Sequence, residues 1–181
     1  SREKLDVKVK ERSNIFNWRG QFTPELVEYL LDEFSTSNDV VLDPFSGSGT
    51  VLQEALKKNL HVYGFEINPA AYAMSKFFTF ANIEIEERQR KLDNIYDSIQ
   101  NLSSKYKNVP VYIHDKNIGF RDAYKNFLNF SSEILDKFSD KSTKLLVVNM
   151  LFKAESLKKM TITKAIQNGF EHIRTELLRL H

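Results

Sequence analysis

Asp39-Val40-Val41-Leu42-Asp43-Pro44-Phe45-Ser46-Gly47-Ser48-Gly49-Thr50 is the stretch on which the fold turns. It opens with a short β-branched run bounded by turn residues and closes with a glycine-rich bend. Val51 to Lys58 then continues at helical spacing, giving strand, tight loop and helix. Toward the carboxyl end, His61-Val62-Tyr63-Gly64-Phe65-Glu66-Ile67 reads as a second strand, and Asn68-Pro69 starts a helix through Ala70, Met74 and Phe77. Toward the amino end, Thr23-Pro24-Glu25 combines a capping hydroxyl, a proline at the first helical position and an early carboxylate. Leu26, Leu30, Leu31 and Phe34 supply that helix with an apolar face, which ends near Ser35. Strand and helix alternate twice, the pattern of a parallel α/β sheet.

Beyond Ala71 the punctuation thins to Pro110, Gly119 and Gly169, and apolar residues recur at helical spacing. Residues 83–107, 120–138 and 161–180 are expected as amphipathic helices and 109–113 as a third strand. The run 144–154 is apolar at nearly every position and fits a buried strand or a buried helix equally. This divides the chain into an α/β portion, 1–82, and a predominantly helical extension, 83–181. The 181 residues are 41% hydrophobic, enough for a real core, and 26 Lys and Arg against 24 Asp and Glu exclude a polybasic binder or an acidic disordered chain. With no cysteine there is no disulfide framework or thiolate metal site, and a reducing, cytoplasmic setting is expected. Histidines 61, 114, 172 and 181 lack ligand spacing, so no metal is expected. The longest apolar runs fall far short of the roughly 20 residues a membrane span needs.

The glycine bend sits at the carboxyl end of one strand and the amino end of a helix, where free N–H groups and the helix dipole favour an anionic ligand group. Asp43 adds a carboxylate at the same place, so a ligand carrying both charges, such as an amino acid moiety, satisfies the site. No lysine follows Gly49, so the bend is not a Walker loop, and Leu52 stands where a dinucleotide fingerprint needs its third glycine. Glu66 ends the second strand 23 residues after Asp43, the place from which an acid reaches ribose hydroxyls, and Ile67 offers a flat apolar contact for a base.

DPFSGSGT, followed by FEINP and preceded by NWRGQFTPELVEYLL, resembles the S-adenosylmethionine-binding portion of the DNA amino-methyltransferases that modify cytosine N4 or adenine N6. The resemblance covers roughly residues 14–80. It implies a partial Rossmann-like methyltransferase sheet with a helical extension, S-adenosylmethionine as cofactor, DNA as substrate and a place in restriction-modification. Carried over residue by residue, it places Phe22, Thr23 and Pro24 at the methionine end of the cofactor. Asp43, Pro44, Phe45, Gly47, Ser48, Gly49 and Thr50 would wrap that end, and Glu66 with Ile67 would hold the adenosine.

The family performs its chemistry with a [DNS]PP[YFW] tetrapeptide that holds a flipped base, and no Pro-Pro pair occurs here. Asn149-Met150-Leu151-Phe152 keeps the first and last residue types and reads either as a decayed active-site loop or as buried helix. No catalytic residue is assigned, and the catalytic segment is expected beyond His181 or on a second chain. Two other readings stay open: a catalytically silent cofactor-binding or interaction subunit, and a methyltransferase acting on RNA or protein. Several features read as structural. Trp18 and Arg19 are expected at a packed edge of the core, and His114-Asp115 as a loop. Glu84, Glu86 and Glu87 with Arg88, Arg90 and Lys91 are expected as a solvated helix face, as are Lys153, Lys158, Lys159 and Lys164, for which a basic arm against DNA phosphates is the alternative.

Overall fold

Thr23 holds an extended backbone and Pro24 supplies a φ already suited to a helix, so the first element, α1 (Pro24–Phe34), begins where the sequence places it, although the Thr23 hydroxyl expected to cap it makes no capping hydrogen bond. In the computed structural model, which describes residues 14–107, 109, 120–155 and 160–180, β1 (Val40–Asp43), α2 (Thr50–Lys57), β2 (His61–Gly64) and α3 (Pro69–Lys76) follow. A 3-10 helix, Phe77–Asn82, comes next. The strands pair in parallel, Val40 with His61 through Asp43 with Gly64. Asn68 caps α3 by accepting from the N–H groups of Ala70 and Ala71 at 2.9 and 3.3 Å. The described architecture is therefore mixed α/β, mostly helical, around a small two-stranded parallel sheet.

The second strand is shorter than the expected 61–67. Phe65 still donates to the Asp43 carbonyl at 2.9 Å, but the Phe45 N–H, the next donor of a regular parallel ladder, turns to the Asp43 carboxylate at 3.1 Å, and the Ser46 N–H takes the Phe65 carbonyl instead. Side chains alternate across the sheet. Val41 and Val62 pack on one face against Val27, Leu31, Ala55 and Leu60. On the opposite face Val40, Leu42 and Tyr63, with Phe65 just past the strand, are 61–63% exposed. Phe16, Phe77 and Phe78 form a separate aromatic cluster with edge-to-face contacts at 5.6 and 5.7 Å.

The chain divides into two compact units, Ser1–Asn82 with Leu180–His181, and Ile83–Arg179. The second holds α4 (Ile85–Tyr106), α5 (Phe120–Leu135), α6 (Lys141–Glu155) and α7 (Ile162–Arg179). Leu92, Ile95, Ile99, Phe130, Ile134, Leu146, Met150, Ile166 and Ile173 are buried in its core. The ambiguous run 144–154 is thus helix: α6 buries residues around most of its circumference, which is why its sequence shows no polar face. Of the expected third strand, Val109 is described and is not in a strand; it accepts from the Ile162 N–H at 2.6 Å. Residues 110–113, His114-Asp115, Lys158 and Lys159 lie outside the described residues.

Two of the cations expected on a solvated face of α4 are buried instead. Arg88 donates to the carbonyls of Ile83 at 2.6 Å and Leu177 at 3.0 Å, so its charge meets the carboxyl-terminal turn of α7, where the helix dipole favours it. Lys91 reaches Asp140 at 2.7 Å and Glu87 at 3.1 Å. Asp140 in turn caps α6, accepting from the Thr143 N–H at 2.9 Å and its hydroxyl at 2.6 Å. The Lys91 ammonium, followed by the Thr143 hydroxyl, holds the Asp140 carboxyl far below the usual carboxylate range. The folded-state pKa is depressed, so this contribution is complete above the ordinary aspartate value of 3.8 and fades as pH falls below it. Asp140→Ala is expected to cost about 1 kcal/mol at neutral pH, the usual worth of a helix cap. Paired thermal melts should show that gap closing only below pH 3.8.

Candidate cofactor site

Both strands end on the same side of the sheet, so the loops that follow them are neighbours. The Ser46 N–H donates to the Phe65 carbonyl at 2.9 Å, and the Ser46 hydroxyl reaches the same oxygen at 3.3 Å. Past that point a side chain takes over: Glu66 accepts from the Gly47 N–H at 2.8 Å on one carboxylate oxygen and from the Asn68 N–H at 2.7 Å on the other. Asp43 turns back onto its own loop, accepting from the Phe45 N–H at 3.1 Å. Burial pushes the Asp43 carboxyl up from its ordinary value; the Phe45 N–H opposes this, and the nearby Glu66 charge adds to it.

A third segment closes the site. Asn14 to Phe22 runs alongside the glycine loop as a strap tied at several points. The Ser48 hydroxyl donates to Gln21 Oε1 at 2.7 Å, the Thr50 hydroxyl to Asn14 Oδ1 at 3.1 Å, and Asn14 Nδ2 to the Phe22 carbonyl at 3.1 Å. A side chain at Gly47 would meet the Trp18 ring at 3.4 Å. Between strap and loops lies a cleft of about 150 Å³.

Of the residues expected at the site, Phe22, Asp43, Phe45, Gly47, Thr50 and Glu66 line this cleft together. The others lie elsewhere. Thr23 and Pro24 start α1, with Pro24 buried. Pro44 is exposed on the loop and Ile67 projects fully into solvent. Ser48 is buried beneath the loop on Gln21. Gly49 has a φ of +93°, and a Cβ there would meet the Phe78 ring at 2.6 Å, so its small size serves helix packing. The glycine that a dinucleotide fingerprint would place at Leu52 has a counterpart across the sheet: a Cβ on Gly64 would meet Leu52 Cδ1 at 2.9 Å.

Ser46, within the 43–50 run expected to wrap the cofactor, lines the cleft too, and so do Trp18, Arg19, Gly20, Gln21 and Val51, to which sequence reasoning gave no cofactor contact. Four of these belong to the strap, and their signal was their place in the NWRGQFTPELVEYLL segment that carries the resemblance. Asn149-Met150-Leu151-Phe152 lies within α6, where Asn149 is fully buried and donates to the Leu145 carbonyl one turn back at 3.0 Å. Those residues are helix, not an active-site loop. Among the described residues no helix is long and apolar enough to cross a membrane.

The class these features define is a parallel βα unit whose glycine turn and two strand-end acids face one cleft, a ligand crevice at the carboxyl ends of its strands. Residues 2–77 match the family described as DNA methylase, the N6/N4 DNA methylases, whose members use S-adenosylmethionine. The chain is 24% identical over 148 residues to the type II methyltransferase M.MjaII of Methanocaldococcus jannaschii, covering 82% of this chain and 25% of that protein. It is 30% identical over 118 residues to M.BsoBI of Geobacillus stearothermophilus, 61% of this chain and 23% of the relative. To M.MvaI of Kocuria varians it is 36% identical over 86 residues, 48% and 18% of the two chains. The chain therefore spans about a quarter or less of the length of these relatives. No solved structure matches it.

Proposed function

We propose that this chain is the S-adenosylmethionine-binding part of a restriction-modification DNA methyltransferase that methylates an exocyclic amine of adenine or cytosine. The observation that carries the reading is the meeting of Asp43, Gly47 and Glu66 in one cleft under the strap of residues 14–22. Two carboxylates and an apolar rim of Phe22 and Phe45 suit a ligand that carries positive charge, sugar hydroxyls and a flat base, and they suit a polyphosphate poorly. When bound, the cofactor supplies a methyl group on a positively charged sulfur. The chain's own residues bind and orient: Asp43 faces the cationic methionine end and Glu66 the sugar, using the carboxylate lone pairs that its backbone bonds leave free. Residues 1–82 make up this cofactor portion and 83–181 a helical extension of it.

The exposed sheet face of Val40, Leu42, Tyr63 and Phe65 supports a larger, Rossmann-like sheet in the working enzyme, because parallel strands are ordinarily covered on both faces. A [DNS]PP[YFW] loop carried by further sequence or by a second chain would complete it, since none of the 181 residues provides one. Calorimetric titration tests the cofactor reading: S-adenosylmethionine and its demethylated product S-adenosylhomocysteine are expected to give saturable heats and ATP none. Equal heats for ATP would overturn it.

A further inference from the structure

Glu66 does more in this structure than present an acid to a ligand. Its two carboxylate oxygens are each engaged by a backbone N–H, and the two donors belong to different loops. Gly47 lies in the bend after β1, and Asn68 lies in the turn that starts α3. Pairing between the strands ends at the Phe65 N–H to Asp43 carbonyl and Ser46 N–H to Phe65 carbonyl bonds. The Glu66 carboxylate therefore continues that pairing past the point where the backbones diverge, and it does so at the wall of the cleft. It also occupies the Gly47 N–H that an anionic ligand group would otherwise claim. Asn68 is itself committed, since its side chain caps α3. The clip thereby links the glycine loop to the amino end of a helix rather than to a loose turn.

From the bond pair Gly47 N–H···Glu66···H–N Asn68, the geometry points to Glu66 as a positioning residue whose carboxylate fastens the two cofactor loops to each other before any ligand arrives. Its effect on cofactor affinity then comes chiefly from preorganisation, because loops already held in place lose less freedom on binding. This rests on the cofactor reading above for its functional meaning but not for the existence of the clip.

Two measurements separate the two claims. The first needs no ligand. In Glu66→Ala, hydrogen exchange at the Gly47 and Asn68 amides is expected to speed up about tenfold or more, while amides in α1 and α2 hold their protection. Glu66→Gln, whose single carbonyl oxygen can accept from one loop but not firmly from both, should fall between and serves if the alanine variant folds poorly. Unchanged exchange at both amides in both variants overturns the clip. The second is a titration of wild type and variant with S-adenosylhomocysteine and with its 2′,3′-dideoxy counterpart. A positioning role predicts that Glu66→Ala weakens the dideoxy ligand about tenfold as well, any further loss with S-adenosylhomocysteine being the contact with the sugar. A residue acting only as a sugar acceptor would lose its effect with the dideoxy ligand, and that result overturns the preorganisation claim. If wild type binds neither ligand the cofactor reading falls, and the exchange data alone decide the clip.

Discussion

Gly49→Ala is expected to destabilise the α/β unit by about 3 kcal/mol, more than the loss of any single hydrogen bond around the cleft. Two independent costs add. The backbone at residue 49 has a φ of +93°, a region that an L side chain enters only with strain. The new methyl would also sit 2.6 and 2.8 Å from two atoms of the Phe78 ring and 3.1 Å from Ser75 Cα, well inside van der Waals contact. Phe78 has little room to retreat, because it is buried edge-to-face against Phe77, which packs in turn on Phe16. Chemical denaturation of wild type and variant measures the difference. A loss under about 1 kcal/mol would mean that the 3-10 helix can shift off α2, and the glycine would then have no packing role. Gly47→Ala is the informative contrast. Its φ of +50° lies in the left-handed region that non-glycine residues do visit, and its Cβ would meet only the edge of the Trp18 ring at 3.4 Å.

That contrast bears on how much of this molecule was legible in its sequence. The alternation of short β-branched runs with capped helices was readable because local chemistry fixes it: Thr23-Pro24 and Asn68-Pro69 each start a helix where they stand. The two glycines were readable as a bend, but their different tasks were not. Which glycine lines the cleft and which faces Phe78 depends on segments nearly thirty residues away, and no local signal carries that. The same limit explains the strap, where Trp18 and Gln21 gain their place from contacts with Gly47 and Ser48. In the helical unit, charge patterning placed Arg88 and Lys91 on a solvated face. Lys91 keeps its i−4 partner Glu87, but the groups that bury the two cations, the Leu177 carbonyl and Asp140, are distant in sequence and invisible to an i,i+4 argument. The run around Asn149 was ambiguous because full burial removes the periodicity that separates helix from strand.

Asp43 ends β1 and Glu66 follows β2, so two carboxylates crowd together at the carboxyl ends of the strands. A binding crevice at the carboxyl ends of parallel strands needs polar groups held partly away from water, and folding alone does not favour that arrangement. Asp43 illustrates the cost: its carboxylate accepts from the Phe45 N–H and has a second acid, Glu66, nearby.

Asp43→Asn is accordingly expected to stabilise the ligand-free protein at neutral pH while weakening its affinity for S-adenosylmethionine about tenfold or more, roughly 1.5–3 kcal/mol for a charged partner lost. The sign of the first effect follows from linkage. Burial raises the folded-state pKa of Asp43 above 3.8, so the folded protein holds the proton more tightly than the unfolded chain. Stability therefore falls as pH rises through that window, and the penalty is present in full above the raised pKa. Asparagine carries no charge to desolvate, and its side-chain oxygen can still accept from the Phe45 N–H. The sign of the second follows from the ligand. A cationic methionine end would give the carboxylate the favourable partner that burial beside Glu66 denies it, and an amide cannot reciprocate. Wild-type affinity should likewise decline as pH drops through the raised Asp43 pKa, whereas the variant's affinity should stay flat over the same range. Thermal melts at neutral pH and calorimetric titrations across the acid range check both halves. A variant that is less stable and binds as tightly as wild type would make Asp43 a structural cap on the loop, leaving Glu66 as the acid that meets the ligand.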